Sequence, residues 1–412
     1  MAEARGSLLI AAISGRSLAC AAADAGYIPL VADFFADCDT QEIAHTAHKL
    51  QGDIGLGMQW PNLRTAFEGL SKQAPTPILG AITGSGFEDR PDLLTHIAKD
   101  WPLIGNDAET VAQINDPKRF FERLDDLAIS YPETCLQRPP DPDGWVAKRP
   151  GGAGGSHVRP VRHAQPIGNH ASTGELYYQT LVPGRMISAL FVANGTDVQV
   201  LGFSEQWTAP APGKPWRYGG AAQPASLPPN AAVAMAETVA LLVDAFKLKG
   251  LGSADFVFNG DEPLLLEINA RPGGTLDIFA NAGNPLLELH VEAALNGALP
   301  DEPLVLEGGS ASAIVFTREP LVVAPAMVWP SWTADRPKPG ERIDKERPIC
   351  TVLARAGSAE KARRLVQTRH TNLLAELRGF ADELGAQEEH SENCEGTNEQ
   401  AEPKCTGRTF GA

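Results

Sequence analysis

Apolar runs alternate with segments of helical spacing through the first hundred residues. Continuous apolar runs separated by helices are typical of a parallel sheet covered by helices, so this region predicts a small parallel α/β domain. Glycine turns follow two of the runs, at Gly15 and at Gly84–Gly86, and neither completes the GxGxxG pattern of a dinucleotide site. The predicted strands are 7–13, 27–32 and 77–82, and the predicted helices end near residue 25 and cover 91–99.

The middle of the chain changes from helical to strand-like patterning. Apolar side chains recur at helical spacing from residue 106 to 127 and are interrupted at Pro117, which predicts two consecutive helices. Later strands are predicted at 144–148, 157–161, 176–182, 187–193, 198–203, 254–258, 264–268, 311–316 and 350–356. Later helices are predicted at 231–246, 285–295 and 359–377.

The end of the chain has a different composition. Beyond Gly379 there are eight acidic and two basic residues and few large apolar side chains. Such a segment cannot bury enough apolar surface to fold on its own, so we expect an acidic, disordered tail over 381–412.

Composition and charge restrict the classes of function. The 412 residues are 43% hydrophobic and 21% charged, with a formal net charge of -16. A negative surface repels nucleic acid and anionic lipid, so we expect small-molecule partners and neither nucleic acid nor a membrane. Six cysteines without a CxxC or Cys/His pair predict a reducing, cytoplasmic environment and no zinc site. The N-terminal apolar run is too short for a secretion signal and predicts a buried strand.

One segment combines a lysine with a glycine loop. Lys148 ends a predicted strand, and the loop Gly151–Gly155 follows before the next strand begins. Glycines let backbone N–H groups approach an oxyanion closely and the lysine adds a point charge, so the pair fits a phosphate site. No GK[ST] closes the loop, so it is not a Walker A motif. A flexible hairpin loop is the alternative for this segment taken alone.

A second segment gathers oxygen-bearing side chains. Asp255 lies on one predicted strand, and Glu267 and Asn269 lie two residues apart on the next, where they project from one face. The short turn at 259–262 pairs the strands and brings Asp255 opposite the pair Leu266 and Glu267. Both strands are otherwise apolar, and buried carboxylates need a metal or a cation, so a solvated polar face is the weaker alternative. Carboxylate and amide oxygens are ligands that Mg²⁺ prefers.

Together with Arg271 and the segment Tyr178–Gly184, these motifs resemble the ATP-grasp superfamily over roughly residues 100–300. The resemblance implies an α/β (α+β ATP-grasp) fold in which a small parallel α/β domain precedes two α+β lobes that clasp ATP. The implied division is a pre-ATP-grasp domain (1–105), a small lobe with a glycine-rich flap (106–182), a large lobe with the metal site (183–300), a C-terminal subdomain (301–380) and the acidic tail (381–412).

The resemblance also implies roles for individual residues. One or two Mg²⁺, or Mn²⁺, would be held by Asp255, Glu267 and Asn269. The ATP phosphates would be met by Lys118, by Lys148 and by the flap residues Gly151, Gly152, Gly154, Gly155 and Ser156. The adenine would be met by Gln179 and by the backbone of Thr180, Leu181 and Val182. Catalysis on the transferred phosphoryl group would fall to Arg271 and Lys148.

Substrate recognition is less specified by the sequence. Met186 stands where many members carry a glutamate for the ribose, and Ser253 stands where some ligases carry an arginine. An aromatic and basic segment between the ATP-site strands and a glycine loop after Arg271 supply the candidate substrate residues. These are Arg217, Tyr218, Gly273, Gly274 and Thr275. A surface loop packed on its own tryptophans explains the first two equally well.

The reaction that the resemblance implies is an ATP-dependent ligation. A carboxylate would be phosphorylated to an acyl-phosphate and joined to an amine, with release of ADP and phosphate. The chain is similar to carboxylate–amine ligases of cofactor biosynthesis, including those that add glutamate to tyrosine or tyramine. A bicarbonate-using carboxylase and a non-catalytic nucleotide-binding protein stay open as alternatives, and a homodimer is the assembly considered. A nicotinamide oxidoreductase would leave Asp255, Glu267 and Asn269 unexplained.

Overall fold

The first hundred residues form a parallel sheet with helices against it, in a computed structural model that describes residues 4–163, 176–280 and 285–395, with side chains to residue 378. The strand order is β3-β2-β1-β4, and every pair is parallel. The strands are β1 Ser7–Ala11, β2 Ile28–Asp33, β3 Thr46–Lys49 and β4 Ile78–Thr83. The helices are α1 Arg16–Asp24, α2 Cys38–Ile43, α3 Trp60–Lys72 and α4 Pro91–Asp100. The predicted parallel α/β domain is confirmed, with α2, β3 and α3 added to it.

Two short helices connect this domain to a small antiparallel sheet. They are α5 (Ala108–Asn115) and α6 (Pro117–Asp126). The break between them is encoded locally, because the Asp116 carboxylate accepts hydrogen bonds from the first free N–H groups of α6 and Pro117 occupies its first position. The small sheet has the order β5-β8-β6-β7. Its strands are β5 Thr134–Cys135, β6 Trp145–Lys148, β7 Arg159–Pro160 and β8 Tyr177–Thr180.

A large antiparallel sheet follows, in the order β13-β12-β9-β10-β11-β14-β18-β16. Its strands are β9 Arg185–Asn194, β10 Val198–Thr208, β11 Tyr218–Gln223, β12 Lys249–Phe258, β13 Pro263–Asn269, β14 Gly309–Phe316, β16 Thr333–Ala334 and β18 Pro348–Ala356. Strands β15 (Leu321–Val322) and β17 (Arg342–Ile343) form a separate two-stranded antiparallel sheet. The strands that we predicted for a separate C-terminal subdomain therefore continue the sheet of the large lobe.

One long apolar helix, α7 (Pro229–Phe246), packs on this sheet. Among the described residues it is the one helix that is long and apolar enough to cross a membrane by length and composition. Its buried side chains Met235, Val239 and Val243 join a hydrophobic cluster with Phe191 of β9. This is the pattern of a core helix that covers a sheet.

The remaining helices are α8 (Leu276–Phe279), α9 (Leu286–Asn296) and α10 (Ala359–Glu395). Helix α10 extends beyond the predicted 359–377 and continues to Glu395, within the segment for which we predicted a disordered tail. The rest of that prediction, 396–412, lies outside the described residues.

Two buried polar contacts fix the first domain against the lobes. The Arg16 guanidinium, at the start of α1, pairs with both oxygens of Asp277 at 2.6 Å and with Asp335 at 3.1 Å. His290 of α9 accepts from the Leu251 N–H at Nδ1 (2.8 Å), so its Nε2 carries the proton and donates to the Ile104 carbonyl at 3.0 Å. These contacts hold the start of α8 and the start of β12 in place, and both elements adjoin the site described next.

Candidate active site

The hairpin of β12 and β13 brings the predicted metal ligands together. Asp255 pairs directly with Glu267, and Ser253 pairs with Asn269. The Asn269 Nδ2 atom lies 3.4 Å from Asp255 Oδ2. The turn at 259–262 sets the pairing of Phe256 with Leu265, and a register shift between Phe256 and Asp255 then places Asp255 opposite Glu267. All three side chains meet on neighbouring strands.

The surroundings of Asp255 favour a bound cation. The Ser188 hydroxyl donates to Asp255 Oδ1 at 2.5 Å, and Gln206 Nε2 lies 3.4 Å from the same oxygen. Burial and the adjacent Glu267 carboxylate raise the pKa of Asp255, because two negative charges lie close together away from water. The described parts of the chain contain no cluster of three His, Cys, Asp or Glu side chains that could hold a metal. The predicted ligands Asp255, Glu267 and Asn269 are two carboxylates and one amide. Two hard carboxylates with an amide oxygen fit Mg²⁺, which commonly completes its shell with phosphate oxygens and water.

Arg271 follows the metal strand and is held on two sides. Its Nε donates to Glu88 Oε1 at 2.8 Å, and one terminal nitrogen donates to Asn269 Oδ1 at 3.0 Å. The guanidinium is mostly buried, with 15% of the side chain exposed. Arg271 is thus fixed beside the predicted metal ligands.

Lys148 reaches the same region from the small sheet. It is buried at the end of β6, and its ammonium donates to Gln179 Oε1 at 2.7 Å. Burial lowers the pKa of Lys148, while the nearby carboxylates of Glu267 and Asp255 act in the opposite direction. Gln179, which we predicted at the adenine amino group, is buried and also donates to Thr134 Oγ1 at 3.0 Å. Its side-chain amide is therefore engaged by protein groups on both sides.

The glycine loop packs as a flap between two other parts of the molecule. Gly151, Gly154 and Gly155 all have positive φ, at +65°, +66° and +68°. The Gly154 carbonyl accepts from the Tyr218 N–H at 2.9 Å, and a Cβ on Gly155 would lie 2.0 Å from the Trp216 carbonyl oxygen. On its other side, a Cβ on Gly151 would lie 2.7 Å from the Asp89 backbone. The flap, which ends at Ser156, thus contacts both the first domain and the start of β11.

A narrow cleft of about 40 Å³ lies under this flap. The flap, helix α6, the metal hairpin and the loop after β4 all line it. Its walls include Glu88, Pro117, Phe120, Arg149, Gly151, Gly152, His157, Glu267 and Asn269. The predicted phosphate loop and two of the predicted metal ligands therefore face one space.

Three residues that we predicted to contact the nucleotide are either exposed outside the cleft or already hydrogen-bonded within the fold. Lys118 is on α6, but 67% of its side chain is exposed, its ammonium lies 4.0 Å from Glu122, and it is outside the described lining of the cleft. The N–H groups of Thr180 and Leu181 donate to the Glu133 and Gly144 carbonyls at 2.9 and 2.7 Å. Reading of adenine by those two N–H groups would require these backbone hydrogen bonds to open.

The predicted substrate residues fall into two groups. Arg217 is buried, pairs with Glu346 at 2.8 Å and lies 3.7 Å over the Phe316 ring, so its guanidinium is used within the fold. Tyr218 begins β11, where its N–H binds the flap, and burial raises the pKa of its hydroxyl. The second group, Gly273, Gly274 and Thr275, forms the loop between β13 and α8, and Gly273 lies beside the Arg271 guanidinium.

Three residues at the site were not predicted as site residues. They are Glu88, Ser188 and Gln206. Glu88 carries a usable signal, because ligands of parallel α/β domains bind beyond the carboxyl ends of the strands and Glu88 follows β4. Ser188 carries none, since its contact depends on the pairing of β9 with β12, two strands far apart in the sequence.

Comparison with known proteins identifies a similar domain and similar folds. The family model of the ATP-grasp domain matches residues 114–275. No curated protein is significantly similar to the chain in sequence. Similar folds include the biotin carboxylase–β-γ-ATP complex of Campylobacter jejuni (14% identity, 87% of this chain and 89% of that chain covered, TM-score 0.65).

Two further structures have the same fold. One is the biotin carboxylase domain of Hydrogenobacter thermophilus 2-oxoglutarate carboxylase with MgADP and bicarbonate (11% identity, 88% and 89% covered, TM-score 0.65). The other is phosphoribosylamine–glycine ligase of Thermotoga maritima (16% identity, 90% and 96% covered, TM-score 0.61). Residues 114–275 therefore match an ATP-grasp domain, and the chain as a whole shares the fold of these three structures.

Proposed function

We propose that this protein is an ATP-dependent ligase that activates a carboxylate as an acyl-phosphate and joins it to an amine. The observation that carries the proposal is the buried Asp255, paired directly with the half-buried Glu267 beside Asn269 and Arg271. Lys148 lies close enough to both carboxylates for their negative charge to act on its pKa. ATP-grasp ligases such as the phosphoribosylamine–glycine ligase of similar fold support the same class of reaction.

The residues of the chain fit MgATP. Asp255, Glu267 and Asn269 would hold one or two Mg²⁺, and the bound ion would neutralise phosphate charge during transfer. Lys148 and Arg271 add positive charge near the transferred group, and the flap covers the cleft. Positioning and charge neutralisation are the main needs of phosphoryl transfer, so we assign no nucleophilic side chain.

The proposed reaction has two steps. A carboxylate oxygen of the substrate bonds to the γ-phosphorus, and the bond from that phosphorus to ADP breaks. The amine nitrogen then bonds to the acyl carbon, phosphate leaves with the bonding electron pair, and the nitrogen loses a proton. The flap keeps water from the acyl-phosphate between the steps. The finer assignment that we propose is glutamate as the acid and tyrosine or tyramine as the amine.

The test is ADP release measured over a panel of acid and amine pairs that includes glutamate with tyramine and with tyrosine. We expect release that needs both substrates. Glu267→Gln should reduce it at least 100-fold, since removing a metal-site carboxylate leaves an incomplete ligand set while the fold is kept. Glu262→Gln is the matched control, because Glu262 lies exposed in the turn of the same hairpin, where it binds Ser130.

Other outcomes would select an alternative. ADP release that depends on bicarbonate and not on an amine would identify a carboxylating enzyme. Tight MgATP binding without release under any condition would identify a non-catalytic nucleotide-binding protein. Full turnover by Glu267→Gln would contradict the proposed metal site.

A further inference from the structure

We propose that Glu88 is a positioning residue for Arg271, and that through this contact the first domain takes part in catalysis. The inference rests on the proposed function, because it concerns the arginine of the same site. Glu88 follows β4, and it reaches across the cleft to a residue 183 positions later in the chain.

Both oxygens of the Glu88 carboxylate are occupied by fixed donors. Oε1 accepts from Arg271 Nε at 2.8 Å, and Oε2 accepts from the N–H groups of Gly86 at 2.7 Å and Phe87 at 3.0 Å. Burial alone would raise the pKa of Glu88, but Arg271 and the Gly86 N–H hold it below its usual value, so the carboxylate is ionised. Because its own loop anchors one oxygen, the other is presented to Arg271 in a single orientation.

The guanidinium is oriented by this contact and by one other. Glu88 holds Nε, and Asn269 Oδ1 holds one terminal nitrogen at 3.0 Å. Among the residues that the structure describes, the other terminal nitrogen has a single, long contact, 3.5 Å to the Pro272 carbonyl. A planar group fixed at two of its nitrogens has a fixed plane, so the third is aimed by the protein and is available for an anionic oxygen in the cleft.

Glu88 also balances charge next to the predicted cation site. Arg271 touches Asn269, one of the predicted metal ligands, so an unbalanced guanidinium there would repel a divalent cation. The Glu88 side chain is 12% exposed, so water screens the pair weakly. The contact therefore has two separable effects, on the orientation of Arg271 and on the affinity for the metal.

Two substitutions separate these effects. In Glu88→Gln the amide nitrogen must face either the two loop N–H groups or Arg271, so one of the contacts is lost together with the charge. We expect kcat for ADP release to fall roughly 10- to 100-fold, the range for loss of a charged hydrogen bond, with KM for ATP changed less than about 3-fold. The Mg²⁺ concentration for half-maximal rate should rise. Glu88→Asp keeps the charge but is too short, so kcat should fall while the Mg²⁺ requirement stays at the wild-type value.

A double-mutant cycle shows whether Glu88 acts through Arg271. We expect Arg271→Lys to lower kcat, and Glu88→Gln combined with Arg271→Lys to be no slower than Arg271→Lys alone. Asp92→Asn is the control, because it removes a carboxylate from a more exposed arginine pair, Arg90–Asp92, in the same domain, and its rate should stay within about 2-fold of wild type. A purely structural contact would lower thermal stability without changing kcat or the Mg²⁺ requirement.

The result that would overturn the proposal is a wild-type kcat and Mg²⁺ requirement in Glu88→Gln, or additive effects in the cycle. If the wild-type protein releases no ADP with any substrate pair, the proposed function fails, and Mn²⁺ binding in the presence of ATP, followed by electron paramagnetic resonance, decides the role of Glu88 independently. Weaker Mn²⁺ binding by Glu88→Gln, with Asp92→Asn unchanged, supports the charge-balancing role, and equal binding contradicts it.

Discussion

Two neighbouring glycines of the flap allow a sharp test of whether its closed position matters. Gly154 and Gly155 have nearly the same left-handed backbone, with φ of +66° and +68°. They differ in their surroundings, because a Cβ on Gly154 would meet none of the described residues within 4 Å, whereas a Cβ on Gly155 would lie 2.0 Å from the Trp216 carbonyl oxygen. Alanine at each position therefore carries the same backbone cost, but only Gly155→Ala disturbs the contact with β11.

The expected magnitudes follow from these two costs. An alanine in the left-handed conformation costs about 1 kcal/mol relative to glycine, so either variant should close its flap about 5-fold less favourably. In Gly155→Ala the clash also forces the flap away from Trp216 and breaks the hydrogen bond from the Tyr218 N–H to the Gly154 carbonyl. That bond contributes about 1 kcal/mol, so kcat/KM for ATP should fall about 30-fold or more in Gly155→Ala.

The assay is steady-state ADP release with and without the amine substrate, with thermal unfolding as a check on folding. Gly155→Ala should also release more ADP without amine, as a fraction of its total rate, because an open flap lets water reach the acyl-phosphate. Equal loss of activity in the two alanine variants would refute the reasoning, since it would show that backbone strain alone matters and that the contact with β11 does not.

Two further predictions concern stability. Burial lowers the pKa of His290 from 6.5 to about 4, so below pH 6.5 the unfolded chain takes up a proton that the folded protein does not. The free energy of unfolding is therefore highest above pH 6.5 and decreases as the pH falls from 6.5 towards 4. Between pH 7 and pH 5 it should lower the free energy of unfolding by about 2 kcal/mol, measured by urea denaturation, and His290→Asn should remove that part of the pH dependence. Arg16→Met should cost about 3–5 kcal/mol because it leaves the buried carboxylates of Asp277 and Asp335 unpaired, whereas Arg64→Met, at an exposed helix pair, should cost less than about 0.5 kcal/mol in the same measurement.

The parts of the site that the sequence predicted are those encoded within a short stretch of chain. Asp255 and Glu267 are joined by one tight turn, so turn length placed Asp255 opposite the pair Leu266 and Glu267, and a register shift beside Asp255 selects Glu267. The flap was equally local, because its glycines follow Lys148 directly. The first parallel sheet was recognisable for the same reason, since each of its predicted strands is one continuous apolar run.

The parts that the sequence did not predict depend on contacts between distant segments. Ser188 reaches Asp255 only because β9 pairs with β12, and no local pattern fixes that register. A contact between distant segments also explains Arg217. Its aromatic and basic neighbours in the sequence suggested a substrate loop, but its guanidinium is engaged by Glu346 and Phe316, which lie far along the chain. A charged side chain is free for a ligand only if no remote partner takes it, and a sequence cannot exclude such a partner.

The position of the flap connects the first domain to the proposed active site. The loop after β4 contributes Glu88 to Arg271, and its next residue, Asp89, packs on Gly151 of the flap. One short loop of the first domain thus contacts both the group expected to stabilise the phosphoryl transfer and the lid expected to exclude water. The ATP-grasp match at 114–275 begins after that loop, so the segment that it covers would contain the metal ligands without the carboxylate that holds Arg271. Because closing the flap and orienting the arginine share this loop, a displacement of the first domain should disturb both at once.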